Sequence, residues 1–273
     1  MERDVNVKNL FQDLLENGSM DEDMQMGQKE IIHPVLPELP FRVNEAVNML
    51  RGNIQMSGYN LKVIAITSAL AHEGKSSIAF RLACSMAGLN KRVLYIDCDI
   101  RNSRTSARYK IQGKHQGLSE YLCGKSSRES IIFHTEDPWM DMIFTGAKAP
   151  NPSELVSGRL FRELMAYARQ TYDYVIADTP PLNVVIDGLI VAKQCDGAIL
   201  VVESGLTERA QAEKAREQLQ YADIKILGAV LNKADVKKRR YGYGYGYGYG
   251  YEYEYENKDE NGEKKKGKKR KRA

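Results

Sequence analysis

The body of this chain lacks an excess of positive charge. Of 40 Lys and Arg and 36 Asp and Glu, residues 237–273 hold 13 bases and 6 acids, which leaves 27 bases against 30 acids in residues 1–236. Such a body offers nucleic acid no electrostatic footprint, so no nucleic-acid partner is expected. Cysteine is scarce too: Cys84, Cys98, Cys123 and Cys195 include no CxxC pair and have no close His partner. That pattern argues against a zinc site, a disulfide framework and an iron–sulfur carrier, and it fits reduced cytosolic thiols. No apolar run approaches the roughly 18 residues that a membrane span requires. The opening "MERDVNVKNLFQDLLENG" is too acidic for a signal peptide. Work at a membrane would need another component to bring the chain there.

What is present is enough apolar residue, 42% of 273, to bury one full-sized core. Residues 1–40 read as an arm or linker, ending in "HPVLPELP", whose prolines favour an extended path. "NEAVNMLRGNIQM" follows with Ala46, Val47, Leu50 and Ile54 at helical spacing and Asn44 as the expected N-cap. From Leu61 the apolar runs "LKVIAIT", "RVLYID", "MDMIF", "YDYVIAD", "DGAILVVE" and "KILGAVLN" alternate with helical stretches at Ser76 to Leu89, Ser153 to Arg169 and Thr207 to Tyr221. Buried runs separated by helices predict an α/β fold with a mostly parallel sheet covered on both faces over residues 41–236. Residues 237–273 form a basic, tyrosine-rich tail that is expected to be disordered. Ligands in such sheets bind at the carboxyl ends of the strands, which says where chemistry belongs.

The first strand end reads "TSALAHEGKSSIAF". Against GxxxxGK[ST], Gly74, Lys75 and Ser76 match, while Ala69 replaces the first glycine; Ser77, next in line, joins Gly74, Lys75 and Ser76 as a nucleotide-binding candidate. A loop of this kind cradles phosphates with backbone amides, while its lysine reaches the β and γ phosphates and its hydroxyl ligates magnesium. "VLYIDCDIR" places Asp97 and Asp99 at the second strand end with Arg101 beyond. Paired carboxylates there suit magnesium ligation or acceptance of a proton from an attacking hydroxyl; alone they would read as a solvated acidic loop. "YVIADTPP" puts Asp178 at a third strand end, the position of an acid that holds magnesium directly or through water. Together these residues describe a site for ATP and Mg²⁺. Phosphoryl transfer then needs positioning, charge neutralisation and a base. The acceptor, water or a hydroxyl on a protein, stays open.

These motifs resemble the bacterial tyrosine kinases of capsule and exopolysaccharide synthesis, in the Gram-positive form that has a separate membrane activator. The resemblance covers roughly residues 41–255. It rests on the phosphate loop with its relaxed first position, on DxDxR at Asp97, Asp99 and Arg101, on DxxP from Asp178 to Pro181, on "GLSEYLCGK" and "PNPSELVSG", and on the terminal tyrosine cluster. It implies a P-loop NTPase domain and autophosphorylation of the tail between subunits of a ring, commonly an octamer. It further implies a transmembrane activator or polysaccharide co-polymerase, a tyrosine phosphatase, and a place at the cytoplasmic face of the membrane held through that partner. The family's ring motif ExxRxxR is matched by Glu45 and Arg51, with Asn48 in place of the first arginine. His72 stands where the family often has glycine, and a solvent-facing side chain is expected there.

With a kinase site in the same chain, Tyr241, Tyr243, Tyr245, Tyr247, Tyr249, Tyr251, Tyr253 and Tyr255 become phosphoacceptors. A phenol with pKa about 10 is protonated at neutral pH, so a base is needed, Asp97 first and Asp99 second. Intervening glycines keep the backbone thin enough for each ring to enter a cleft. Each phosphate adds about −1.5 to −2, so phosphorylated tails are expected to repel one another and loosen the ring. The final "KKKGKKRKR" reads as a solvated or weakly membrane-contacting end. Two other readings remain. One is a septum- or cargo-positioning ATPase, whose relatives carry an extra lysine near the position of Leu70. The other is an ATP-holding scaffold modified by a different kinase.

Overall fold

The computed structural model describes residues 31–58, 61–111, 113 and 115–234. The eight acceptor tyrosines, and the expectation that their tail is disordered, lie outside these residues. Among the described residues the elements run α1 (Phe41–Met56), β1 (Val63–Ser68), α2 (Lys75–Ala87), β2 (Val93–Asp97), α3 (Thr105–Arg108), α4 (Leu118–Leu122), α5 (Arg128–Ile131), β3 (Phe133–His134), β4 (Met140–Ile143), α6 (Pro152–Ser157), α7 (Arg159–Thr171), β5 (Tyr174–Asp178), α8 (Asp187–Ala192), β6 (Gly197–Glu203), α9 (Arg209–Tyr221) and β7 (Ile226–Asn232).

One sheet carries the fold, with strand order β3-β4-β2-β5-β1-β6-β7. Every neighbouring pair is parallel except β3 against β4, which closes one edge antiparallel. The α/β fold read from the sequence is therefore the observed one. β1 and β2 are buried along their whole length, as expected of strands covered on both faces. Side chains alternate between the two helical layers. Val63, Leu94, Ile96, Val175 and Ala177 meet Phe161, Leu164, Met165 and Ala168 of α7 and Leu118 and Leu122 of α4. On the other face Ile64, Ile66, Tyr95 and Ile176 pack on Ala79, Phe80, Leu82, Ala83 and Met86 of α2. Phe80 stacks on Tyr109 with ring centroids 3.9 Å apart and meets Tyr95 edge-on at 5.4 Å. Each such fully buried large side chain contributes about 1.5–3 kcal/mol, so α2, whose first residue is Lys75, is fixed against the sheet by its apolar face.

α1 lies on α2. Arg51 donates to the Ser85 carbonyl and hydroxyl, both at 2.8 Å, Ser85 donates to Asn48 at 3.1 Å, and Asn48 donates to Glu45 at 2.9 Å. The helix opens at Phe41 rather than at Asn44: Pro40, with φ −53° and ψ 141°, precedes it, and the amides of Val43 and Asn44 donate to the Pro40 carbonyl. Residues 31–40 are extended, as their prolines require, and are laid on the body. Ile32 bridges Thr135 and is buried, and the Val35 amide reaches the Tyr109 carbonyl at 2.9 Å. The helix expected from Ser153 to Arg169 is two helices, because Gly158 adopts an extended ψ of 172° and ends one before starting the next. Burial pushes the thiols of Cys84 and Cys195 up to about 12, which keeps them protonated and inert. No helix among the described residues is long and apolar enough to cross a membrane.

At the end of the strands opposite the phosphate loop, Asp196 ties β6 to β1. It accepts from the amides of Lys62 and Val63, both at 2.8 Å, and from Arg169 at 2.6 Å. Burial opposes its charge, but the two amides and the guanidinium overcome that and hold the carboxyl below its usual range. Because the folded-state pKa is depressed, this stabilisation is full above about pH 4, the unfolded value, and is lost as pH falls through the folded pKa. Asp196→Ala is expected to cost about 2–3 kcal/mol at pH 7 by urea denaturation. The difference between variant and wild type should shrink as the titration is repeated toward pH 3.

Candidate active site

Sheet order brings the sequence-predicted acids together. β5 lies between β1 and β2, with Asp97 directly opposite Asp178 in the β2–β5 register and Ile66 opposite Asp178 in the β1–β5 register. The loop after β1 then delivers α2 over these strand ends. Lys75, only 8% exposed, places its Nζ 3.2 Å from Asp178 Oδ1, 3.3 Å from Asp99 Oδ2 and 3.3 Å from Ser76 Oγ. Burial works to strip the ammonium of its proton, but the charges of Asp178, Asp99 and Asp97 hold it above the ordinary lysine value. The cation is thus the counterweight to three buried acids.

Asp97 ends β2. It sits fully inside, accepts a hydrogen bond from Ser103 and receives the Asp99 amide at 3.2 Å. Burial first and the Asp178 charge second push its carboxyl up to about 7. A carboxylate poised near neutrality is suited to taking a proton. Asp178 is steadied from within the core by Tyr95, whose hydroxyl donates to Oδ2 at 3.2 Å. Burial and the Asp178 charge raise the Tyr95 phenol well above its ordinary value, so it stays a donor. Asp99 Oδ1 in turn accepts the Asn102 amide at 3.1 Å, closing the turn that follows β2.

Several residues around the cleft were not singled out from the sequence. Glu73, inside the phosphate loop, is buried; it accepts the Leu70 amide at 2.7 Å and the Thr207 hydroxyl. Arg108 donates to Ser77, and Ser103, Arg104 and Thr105 complete the wall. Arg101 lines the cleft as expected, but its guanidinium is gripped by Asp187 at the start of α8, while Ser153 of α6 bonds both. Burial opposes the Asp187 charge, and the Arg101 and Ser153 hydrogen bonds overcome it and hold the carboxyl low. No local signal could have marked Asp187, which lies 86 positions from Arg101. His72 is solvent-exposed, as expected. Glu45 and Arg51 lie away from the cleft on α1, with the Arg51 guanidinium drawn inward to Ser85.

The donor set fits Mg²⁺ and a nucleoside triphosphate. All candidate metal donors, Ser76, Asp97, Asp99 and Asp178, are hard oxygens. Among the described residues no three His, Cys, Asp or Glu side chains converge as a closed cage. Magnesium characteristically uses one or two carboxylates and completes its shell with waters and substrate phosphates. The buried ammonium and the helix N-terminus at Lys75 supply the positive field that phosphates require.

Comparison with known proteins agrees with this geometry. A family model described as an AAA domain matches residues 61–207. The chain is 39% identical over 217 residues to tyrosine-protein kinase CpsD of Streptococcus agalactiae serotype III, covering 80% of this chain and 93% of that protein. It is 38% identical over 202 residues to tyrosine-protein kinase YwqD of Bacillus subtilis, covering 73% and 85%. The kinase domain of the Escherichia coli tyrosine kinase ETK superimposes with a TM-score of 0.66 at 28% identity, covering 80% of this chain and 95% of that one.

Tyr95→Phe keeps the ring's packing against Phe80 and removes the hydroxyl that donates to Asp178 and also contacts Thr105 Oγ1 at 3.5 Å. We expect a loss of about 1–2 kcal/mol in stability, read from urea denaturation without nucleotide, with the near-UV spectrum of the folded state otherwise preserved.

Proposed function

The chain belongs to the bacterial tyrosine kinases, and from that premise we propose that it is an ATP-dependent protein-tyrosine autokinase. It phosphorylates the tyrosines at 241–255 of a neighbouring copy within a ring, and so regulates the polymerisation and export of a capsular or extracellular polysaccharide. The observation that carries this reading is the buried Lys75 flanked by Asp178 and Asp99, with Asp97 held near neutrality beside them.

Each group has a task. Lys75 exchanges its carboxylate partners for the β and γ phosphates, and the loop around Gly74 supplies backbone amides. Ser76, Asp99 and Asp178 provide oxygens for Mg²⁺, which when bound neutralises phosphate charge. Asp97 accepts the phenolic proton; the tyrosine oxygen forms the new bond to the γ-phosphorus as the bond to the bridging oxygen breaks, and ADP leaves. Arg101, fixed by Asp187 and Ser153, keeps a positive charge at the mouth without entering it. Tyrosine is favoured over water as acceptor because the chain carries its own cluster of eight, its relatives are named tyrosine-protein kinases, and Leu70 stands near where the ATPase lineage has its extra lysine.

For the ring, α1 is the surface we favour. Its outer side exposes Phe41, Met49 and Met56 at 71, 68 and 79%, an apolar display that suits an interaction surface; Glu45 is exposed on this helix, while Arg51 turns inward to Ser85. A transmembrane activator, a tyrosine phosphatase and a position at the inner face of the membrane complete the proposal, carried over from the family.

Intact-mass measurement after incubation with MgATP and an activator fragment tests it, beside Lys75→Met. Phosphate additions mapping to Tyr241 through Tyr255 and absent in the variant are expected. ATP consumption without added phosphate would point instead to an ATPase, and the absence of both phosphate addition and ATP consumption would point to the scaffold.

A further inference from the structure

The phosphate loop leaves ordinary backbone space at two residues, His72 with φ 68° and Gly74 with φ 95°. Glycine tolerates the left-handed region freely, but histidine adopts it at a cost that the surroundings must offset. Both surroundings come from the end of β7. Asn232 Nδ2 donates to the Glu73 carbonyl at 2.9 Å, and Lys233 Nζ donates to the His72 carbonyl at 3.1 Å. Lys233 also pairs with Glu203 Oε2 at 2.7 Å, and the Ser204 amide donates to the Asn232 carbonyl at 2.9 Å, locking the ends of β6 and β7 together. At Gly74 a Cβ would fall 2.1 Å from Asn232 Nδ2, so only glycine lets the asparagine lie there. Three consecutive loop residues, 72 to 74, are thus each met by Asn232 or Lys233.

These contacts act on the loop's amides without reaching the cleft. In a planar trans peptide the C=O and the following N–H point in opposite directions. Holding the carbonyls of His72 and Glu73 against β7 therefore fixes the direction of the Glu73 and Gly74 N–H groups. Directed amides are what a phosphate-binding loop supplies.

We propose that Asn232 and Lys233 form a clasp that presets the phosphate loop for nucleotide and couples nucleotide occupancy to the stretch of chain leading to the tyrosines. They are positioning residues, and the inference rests on the reading that this loop holds ATP. Tyr241 comes eight positions after Lys233 in the sequence, so the clasp lies shortly before the acceptor segment along the chain. Coupling runs both ways: a clasp that favours nucleotide is itself favoured by nucleotide. Binding therefore firms the end of β7, and loss of the clasp weakens binding.

The test uses the full chain and MgADP carrying a fluorescent ribose label. Lys233→Met keeps the aliphatic stem and removes the donor; Lys233→Arg restores a cation able to reach both the carbonyl and Glu203. We expect Lys233→Met and Asn232→Ala each to weaken binding roughly tenfold, within the usual range of coupling between sites, and Lys233→Arg to recover most of it. Hydrogen exchange in residues 226–234 should slow on adding MgADP in the wild type and not in Lys233→Met. A purely structural role would lower the melting temperature of the nucleotide-free chain and leave these two readouts unchanged. Should Lys233→Met fold poorly, Glu203→Gln leaves the lysine in place with a looser grip, and a roughly threefold weakening is expected. Variants that bind as tightly as wild type, or wild-type exchange at 226–234 indifferent to MgADP, would overturn the clasp alone. A wild-type chain that binds no MgADP would take down the nucleotide reading and the clasp with it.

Discussion

A single buried ammonium holds the site together. Lys75 sits where three strand-end acids would otherwise repel one another in a region of low dielectric, and an unpaired charge there would cost several kcal/mol. Its contacts with Asp178 and Asp99 make the cluster tolerable in the folded chain, and the same contacts prepare it for phosphates, which offer the lysine the same kind of oxygen. Asp97 makes no direct hydrogen bond to the ammonium, and burial together with the Asp178 charge raises its carboxyl toward neutrality.

The fold contributes this arrangement through strand order. β5 enters the sheet between β1 and β2, which brings Asp178 level with Asp97 and beneath the loop that carries Lys75. The core then braces the site from below, through Tyr95 to Asp178 and through the Phe80, Tyr95 and Tyr109 rings that seat α2. Around this rigid centre the rim is built from distant pieces: Asp187 and Ser153 on Arg101, Thr207 on Glu73, and the end of β7 on the phosphate loop. Apolar packing sets where the strands end, and polar contacts between those ends set the shape of the cleft.

Related sheets can serve hydrolysis or transfer, because neither reaction demands much covalent chemistry from the protein. The acceptor decides between them. In the proposed reading the acceptor is the cluster of eight tyrosines, Tyr241 to Tyr255, spaced by glycine or glutamate. At the end of β7, Asn232 and Lys233 hold the carbonyls of Glu73 and His72 in the phosphate loop.

The sequence by itself determined the α/β class, the strand-end position of Lys75, Asp97, Asp99 and Asp178, and the exposed place of His72, because apolar periodicity and short motifs are local and each fixes its own neighbourhood. Helix limits were legible only to within a few residues, since Pro40 and Gly158 shift them through backbone geometry that periodicity does not register. Tertiary structure alone decided that Arg101 answers to Asp187, that Arg51 turns inward to Ser85, and that Glu73 and Asn232 shape the phosphate loop. Those partners are separated by 34 to 159 positions, and which of them meet follows from the order in which the strands enter the sheet, a property of the folded chain that no local stretch encodes.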